Sequence, residues 1–168
     1  MTMKEPFESA VQAHGATVLR ICRTVLGAGP DADDAWSETF LAALRSWPEL
    51  DENTNVEAWL VRVAQRKAVD ITRTRARGAI PTGELPEQRS RTGLPGERDP
   101  GLWQAVAALP ERQRLALAYH YLGGLAHTET AELIGGTAAA VRRAAADGIK
   151  ALRRHSSFDP SEKGAADD

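Results

Sequence analysis

A stretch with almost nothing to bury constrains this chain more than any other feature. Residues 78–100 hold four glycines and four prolines in 23 positions and almost no large apolar side chains. Such a segment cannot offset the entropy lost in ordering itself. The chain is therefore expected to form two small helical domains, residues 1–77 and 101–155, joined by a flexible or extended Gly/Pro-rich linker. With 168 residues in total, each half is long enough for a modest core of its own. Residues 156–168 are polar, end in Ala-Ala-Asp-Asp, and are expected to be a disordered tail.

Both halves read as all-α. Aromatic residues make up only 5 % of the chain, and sheet cores favour aromatic and β-branched side chains. Ala, Leu, Arg and Glu dominate instead, and these favour helix. Phe7, Val11, Val18, Leu19 and Val25 recur at helical spacing over residues 6–26, and Gly27, Gly29 and Pro30 stop the helix. A second helix runs from Asp31 to Leu44, its early acids favoured by the helix dipole. Trp36, Phe40 and Leu44, at i, i+4 and i+8, are its expected inner stripe, and Trp47-Pro48 ends it. Residues 49–55 are a polar loop, and helix resumes over 56–77. Past the linker, Leu102, Trp103, Val106 and Leu109 predict a short helix, and Pro110 opens another that continues to Gly123-Gly124. Thr128 to Ile134, Gly135-Gly136, and a helix capped by Thr137 and reaching about Arg154 complete a helix-turn-helix.

The net charge is −2, which alone argues weakly against a nucleic-acid partner. The mean hides an alternation of sign by segment. Residues 31–52 carry seven acids against Arg45; residues 62–77 carry six bases against Asp70; residues 142–154 carry five bases against Asp147. On the helix over 56–77, taken at about 100° per residue, Arg62, Arg66, Arg73 and Arg77 fall within about 60° of one another, with Trp59 on the same face. Leu60, Ala64 and Ile71 fall on the other. Guanidinium groups neutralise phosphates and an indole can stack on an unpaired base. Taken alone, the face fits a solvated basic surface with Trp59 partly buried equally well. In the helix-turn-helix, the residues that would enter a major groove begin at Thr137, with small Ala138 and Ala140 allowing close approach and Arg142 and Arg143 able to reach phosphate or a guanine edge.

Enzyme chemistry finds no foothold. His14, His120, His127 and His155 lack metal-ligand spacing, and no phosphate-binding loop, nucleophile elbow or zinc quartet is present. No catalytic residue, cofactor or metal is expected. Cys22, the single cysteine, lies between Leu19, Ile21 and Val25 and reads as a buried structural thiol. No signal peptide or membrane-length apolar run appears, so the cytoplasm is the expected compartment.

These pieces together resemble a known family. Asp31-Ala-Asp-Asp-Ala-Trp-Ser-Glu-Thr-Phe-Leu-Ala-Ala-Leu, followed by Trp47, is similar to the polymerase-binding helix of bacterial sigma factors. Glu57-Ala-Trp-Leu-Val-Arg-Val-Ala-Gln-Arg-Lys-Ala-Val-Asp70 looks like their promoter-melting, minus-10-reading helix. Leu109-Pro-Glu-Arg-Gln-Arg-Leu-Ala-Leu and Gly124-Leu-Ala-His-Thr-Glu-Thr-Ala-Glu-Leu-Ile-Gly135 look like their minus-35 domain. The short linker and the absence of middle domains match the extracytoplasmic-function (ECF) class, and the resemblance covers about residues 6–154 in the family's order. It implies a subunit that binds core RNA polymerase and directs promoter-specific initiation, with the polymerase doing the chemistry. Asp33, Asp34 and Glu38 would dock on the polymerase, whereas for Asp31 helix capping and solvation are favoured. Trp59, Arg62, Arg66 and Arg73 would hold the opened minus-10 strand, with Arg77 on the same face, and the loop at Asn53 to Asn55 would accept a flipped base. Thr137, Arg142 and Arg143 would serve the minus-35 element. The expected partners are core polymerase and promoter DNA, with an anti-sigma factor as the family's common regulator. The free chain is expected to be a monomer.

Several positions depart from the family's pattern. Ser37 stands where Gln is usual, and Gln65-Arg66 where Arg-Asn is usual. Ala144 and Asp147 replace common basic residues in the recognition helix, and Gly148 is expected to interrupt that helix at about 1 kcal/mol relative to Ala. Two other readings stay open on the sequence. One is a dimeric helix-turn-helix regulator of duplex DNA, with residues 1–77 as a sensing or dimerising domain. The other is a degenerate sigma-like adaptor that binds polymerase and reads DNA poorly.

Overall fold

The structure is a computed structural model that describes residues 5–78 and 100–154. The expected flexible linker, apart from its end residues, and the expected disordered tail lie outside the described residues. Every regular element within them is helical.

Three helices build the N-terminal half. Helix α1, Phe7–Leu26, ends where Gly27 takes a φ of 89° and returns its N–H to the carbonyl of Arg23 at 2.8 Å. That left-handed conformation suits glycine. Helix α2, Pro30–Ser46, begins with a proline in the turn whose N–H needs no helical partner. It passes into a 3-10 turn, Trp47–Glu49. Helix α3, Val56–Arg77, is capped by Asn55, whose side-chain oxygen accepts the N–H of Ala58 at 3.1 Å.

The core between these helices holds Val18 and Cys22 from α1, Ala32, Ala35, Phe40 and Ala43 from α2, and Leu60 and Ala64 from α3. The inner stripe of α2 therefore differs from the expected one. Ala32, Ala35, Thr39 and Ala43 line it with Phe40, while Leu44 is 51 % exposed. Small side chains let α1 and α3 approach α2 closely, and a search for large apolar residues overlooks them. Trp36 is half-buried and donates its indole N–H to the carbonyl of Gly15 at 2.9 Å. Trp47 is buried between Phe7, at 5.5 Å between ring centroids, and Trp59, at 6.3 Å.

Cys22 is buried, and burial, followed by the nearby Asp33 carboxylate, pushes its thiol up to about 12. At pH 8 the thiolate would then be about one part in ten thousand. Alkylation in the folded state is expected to be negligible over the time that labels the denatured chain completely, as mass spectrometry after a pulse would show. Rapid native labelling would contradict this placement.

The C-terminal half comprises α4, Pro100–Ala107, α5, Glu111–Ala116, a π-helical segment, Leu117–Leu122, α6, His127–Ile134, and α7, Ala138–Leu152. In the π segment the N–H of Gly123 bonds to the carbonyl of Ala118, five residues back, at 2.9 Å. Arg112 donates to the carbonyls of Ile134 at 3.0 Å and Gly135 at 2.8 Å, satisfying the end of α6 and fixing the turn into α7. Thr137 caps α7 by accepting the N–H of Ala140 at 3.1 Å, as expected. Gly148 does not interrupt α7. The helix runs through it, and a Cβ there would lie 2.9 Å from Cδ1 and 3.1 Å from Cγ of Leu117. This glycine lets α7 cross against the segment that follows α5.

The two halves are not separate bodies. Ile21 and Val61 from the first share a buried cluster with Ala118, Tyr119 and Leu125 from the second. Burial, and secondarily Cys22, raises the Tyr119 phenol well above the usual tyrosine range. Arg114 of α5 donates to the carbonyl of Val25 at the end of α1, at 3.0 Å.

Candidate nucleic-acid interface

Helix α3 divides its circumference three ways. Leu60 and Ala64, with half-buried Ile71, face α1 and α2. A second strip, Ala58, Val61 and Gln65, faces the C-terminal half, where the Gln65 side-chain amide donates to the carbonyl of Leu133 at 3.3 Å. The remaining arc carries the guanidiniums. Arg66, Arg73 and Arg77 are exposed along it. Arg62 stands on its border, half-buried, and its Nη2 lies 2.6 Å from Oε2 of Glu129 in α6. Of the four expected basic residues, three are thus open and one is committed to a protein carboxylate.

Trp59 does not stand as an open platform beside the arginines. It is half-buried, packs on the edge of the N-terminal core and tilts toward Trp47. Its position within the first turn after Asn55 places it where Trp47 can cover one of its faces. Asn53 and Asn55 are exposed in the loop before α3, with the Asn55 oxygen occupied by its capping bond and the Asn53 N–H bonded to Asp51 at 2.8 Å.

The acids on α2 also separate. Asp34 and Glu38 are exposed and lie at i and i+4 on one face. Asp33 is half-buried and close enough to influence Cys22. Asp31, expected to cap and be solvated, forms a close ion pair with Arg75 near the end of α3. Leu41, 47 % exposed, continues the outward file of Asp34 and Glu38, with Leu44 beside it. Sequence reasoning missed both leucines as surface residues. Their signal was only that the alanine stripe already fills the inner face.

On the recognition helix, Val141, Ala145, Gly148 and Leu152 are buried, and Arg142, Arg143, Ala146, Asp147, Lys150 and Arg153 are exposed. Asp147 sits four residues from Arg143 and three from Lys150, where a helix brings side chains together. Near the base of this unit the rings of His120 and His127 stack at 3.8 Å. His127 is 9 % exposed, and burial first, then His120, then Arg142, lower its pKa. A depressed histidine pKa means that folding favours the neutral ring. The contribution is complete above the unfolded value of about 6.5 and is lost as pH falls through the folded one. Melting temperature is expected to drop between pH 7 and pH 5, and to drop less in His127→Gln. Equal slopes would exclude this histidine as the cause.

Among the described residues no helix is long and apolar enough to cross a membrane, and no group of three or more His, Cys, Asp or Glu could hold a metal ion.

Comparison with known proteins gives a consistent picture. The family model for sigma-70 region 2 matches residues 10–78, and that for sigma-70 region 4 matches residues 101–152. The ECF RNA polymerase sigma factor ShbA of Streptomyces griseus is 32 % identical over 151 residues, covering 80 % of this chain and 79 % of its own length. The ECF RNA polymerase sigma factor SigD of Mycobacterium tuberculosis is 30 % identical over 148 residues, covering 81 % of this chain and 70 % of its own. In fold, the chain is similar to the sigma factor RpoE of Bartonella quintana, solved with the anti-sigma factor NepR. The TM-score is 0.65 at 16 % identity, covering 88 % of this chain and 94 % of that one. It is also similar to CnrH, solved with the cytosolic domain of CnrY, at a TM-score of 0.56 and 21 % identity, over 88 % and 85 % of the two chains.

Proposed function

Since the chain belongs to the ECF class of the sigma-70 family, we infer that it binds core RNA polymerase and directs promoter-specific transcription initiation, and we assign the working surfaces as follows. Arg66, Arg73 and Arg77 hold the phosphates of the opened minus-10 strand, and the exposed row they form on α3 carries this assignment. Asn53 in the neighbouring loop contacts a base drawn out of the stack, with Asn55 fixing the loop to the helix. Asp34 and Glu38, flanked by exposed Leu41, dock α2 on a basic, partly apolar surface of the polymerase. Arg142 and Arg143 on α7 meet the minus-35 duplex, and Asp147 weakens that contact by placing a negative charge on the same face.

In this reading phosphodiester chemistry belongs to the polymerase, and the chain needs no catalytic group or cofactor. It works in the cytoplasm, where the polymerase is, and is monomeric when free. An anti-sigma factor is the candidate regulator, as in the RpoE structure named above.

Transcription from a promoter library by core polymerase, with and without the chain, tests this directly. New start sites that depend on the chain, sharing one upstream sequence pattern, are expected. Binding to core polymerase without any new start would favour a sigma-like adaptor. Binding to duplex DNA without binding polymerase would favour a plain regulator.

A further inference from the structure

We propose that Asp147 determines base specificity in the minus-35 duplex, where its carboxylate accepts a hydrogen bond from the N4 amino group of a cytosine close to a guanine read by Arg143. The inference deepens the reading that α7 meets that duplex, and rests on it.

The fold does not hold Asp147 to itself. The residue is exposed on α7, and among the described residues neither it nor Arg143 takes part in an ion pair or a side-chain hydrogen bond. Their order is also the weaker one for a helical pair, since a base four residues before an acid runs against the helix dipole. Both side chains are available to reach outward.

The setting on the helix suits a base edge. Val141, Ala145, Gly148 and Leu152 fill the buried side of α7. Taken at about 100° per residue, Ala139, Ala140, Arg143 and Asp147 share an arc of about 100° on the opposite side, and all four are exposed. Arg142 and Arg153, also exposed, lie more than about 100° around the helix from Asp147, on the flank that can grip phosphates. An aspartate is short, and it reaches a base only if the helix comes close. Exposed Ala139, Ala140 and Ala146 put no bulk in the way. From Ala139 to Asp147 the helix rises about 12 Å, which matches a major groove about 12 Å wide, so Asp147 still lies within the groove. Arg143 stands about 6 Å before it along the axis, roughly two base-pair steps.

Charge then selects the base. In the major groove guanine shows the N7 and O6 acceptors and thymine shows O4, and these repel a carboxylate. Adenine sets its N6 amino group beside the N7 acceptor. Cytosine presents its N4 amino group with no acceptor of its own there. The charge that weakens the contact with duplex DNA in general is therefore tolerated best where this donor meets it.

The test uses holoenzyme assembled from core polymerase and the full chain, on a promoter library randomised upstream of the start sites, with the selected sequences read from the transcripts. Wild type is expected to favour cytosine over guanine or thymine by about tenfold at one upstream position. Asp147→Asn is expected to move that choice to adenine, whose N6 and N7 an amide meets with an acceptor and a donor. Asp147→Ala is expected to leave the position without preference. Arg143→Ala is expected to relax a different position, roughly two base pairs away, where wild type takes guanine. The same choice of base in wild type and both Asp147 variants overturns the inference. So does a change in the Asp147 variants confined to the guanine position, which would make the carboxylate a support for Arg143. A wild type that directs starts with no upstream preference at all removes the duplex reading of α7 and the inference with it, and leaves the arginine arc of α3 untouched.

Discussion

The double substitution Arg66→Ala, Arg73→Ala is expected to cut promoter opening by about a hundredfold or more and to leave the melting temperature unchanged. Both side chains are exposed on the open arc of α3. Neither takes part in an ion pair among the described residues, so their removal breaks no internal contact of that kind. A hydrogen bond to a charged group contributes about 1.5–3 kcal/mol. Two such bonds lost together amount to at least about 3 kcal/mol, which is about two decades in an equilibrium constant. Because the contacts are to phosphates, the loss is expected for every promoter the factor uses, with a shallower dependence on salt. Run-off transcription with core polymerase, beside a thermal melt of the free chain, measures both. Activity within threefold of wild type would take α3 out of the strand-holding role. A matching fall in melting temperature would show that the arginines act on the fold.

The second large effect concerns stability. Gly148→Val is expected to lower the melting temperature of the chain by roughly 5–15 °C. Glycine within a helix costs about 1 kcal/mol relative to alanine, so a replacement by alanine gains propensity and partly compensates the 2.9 Å approach to Leu117 Cδ1. Valine adds two methyl groups to the same gap. Overpacking a core costs about 1–3 kcal/mol, and about 4–8 °C follows from each kcal/mol in a domain of this size. Leu117 is itself buried, which leaves it little room to yield. Differential scanning calorimetry of Gly148→Ala and Gly148→Val reads the sign and the size. A valine variant as stable as wild type would mean that α7 does not pack as closely as the structure shows.

The helix boundaries, the cap at Thr137 and the basic arc of α3 were legible because each depends on near neighbours in sequence. Glycine after a helix, threonine before one, and arginines at helical spacing act locally. The inner face of α2 was not legible, since Ala32, Ala35 and Ala43 carry too little apolar surface to outweigh Trp36 and Leu44 in a periodicity argument. Gly148 was read as a defect because its purpose is set by Leu117, a residue 31 positions earlier that nothing local connects to it. The seam between the halves was hidden for the same reason. Val61 and Gln65 look like ordinary flank residues of α3 until α6 is beside them, and a Gly/Pro-rich connection suggests independence without requiring it. At the site, the sequence grouped Arg62 with Arg66 and Arg73 by angle. Its carboxylate partner lies 67 residues away, beyond any pattern within one helix.

The fit of Gly123 against Val61 has a consequence for building chimaeras from such proteins. Exchanging C-terminal halves to change promoter preference would assume that a linker makes the parts interchangeable. Here the join is close at Gly123, and a graft with a larger residue at that spot would have to shift Val61, 2.9 Å from the added Cβ, or the backbone carbonyl of its own Tyr119 at 2.8 Å. Such a hybrid would carry two changes at once, a new recognition helix and an altered seam between the halves. Transplanting residue 61 together with the donor half would keep the two apart.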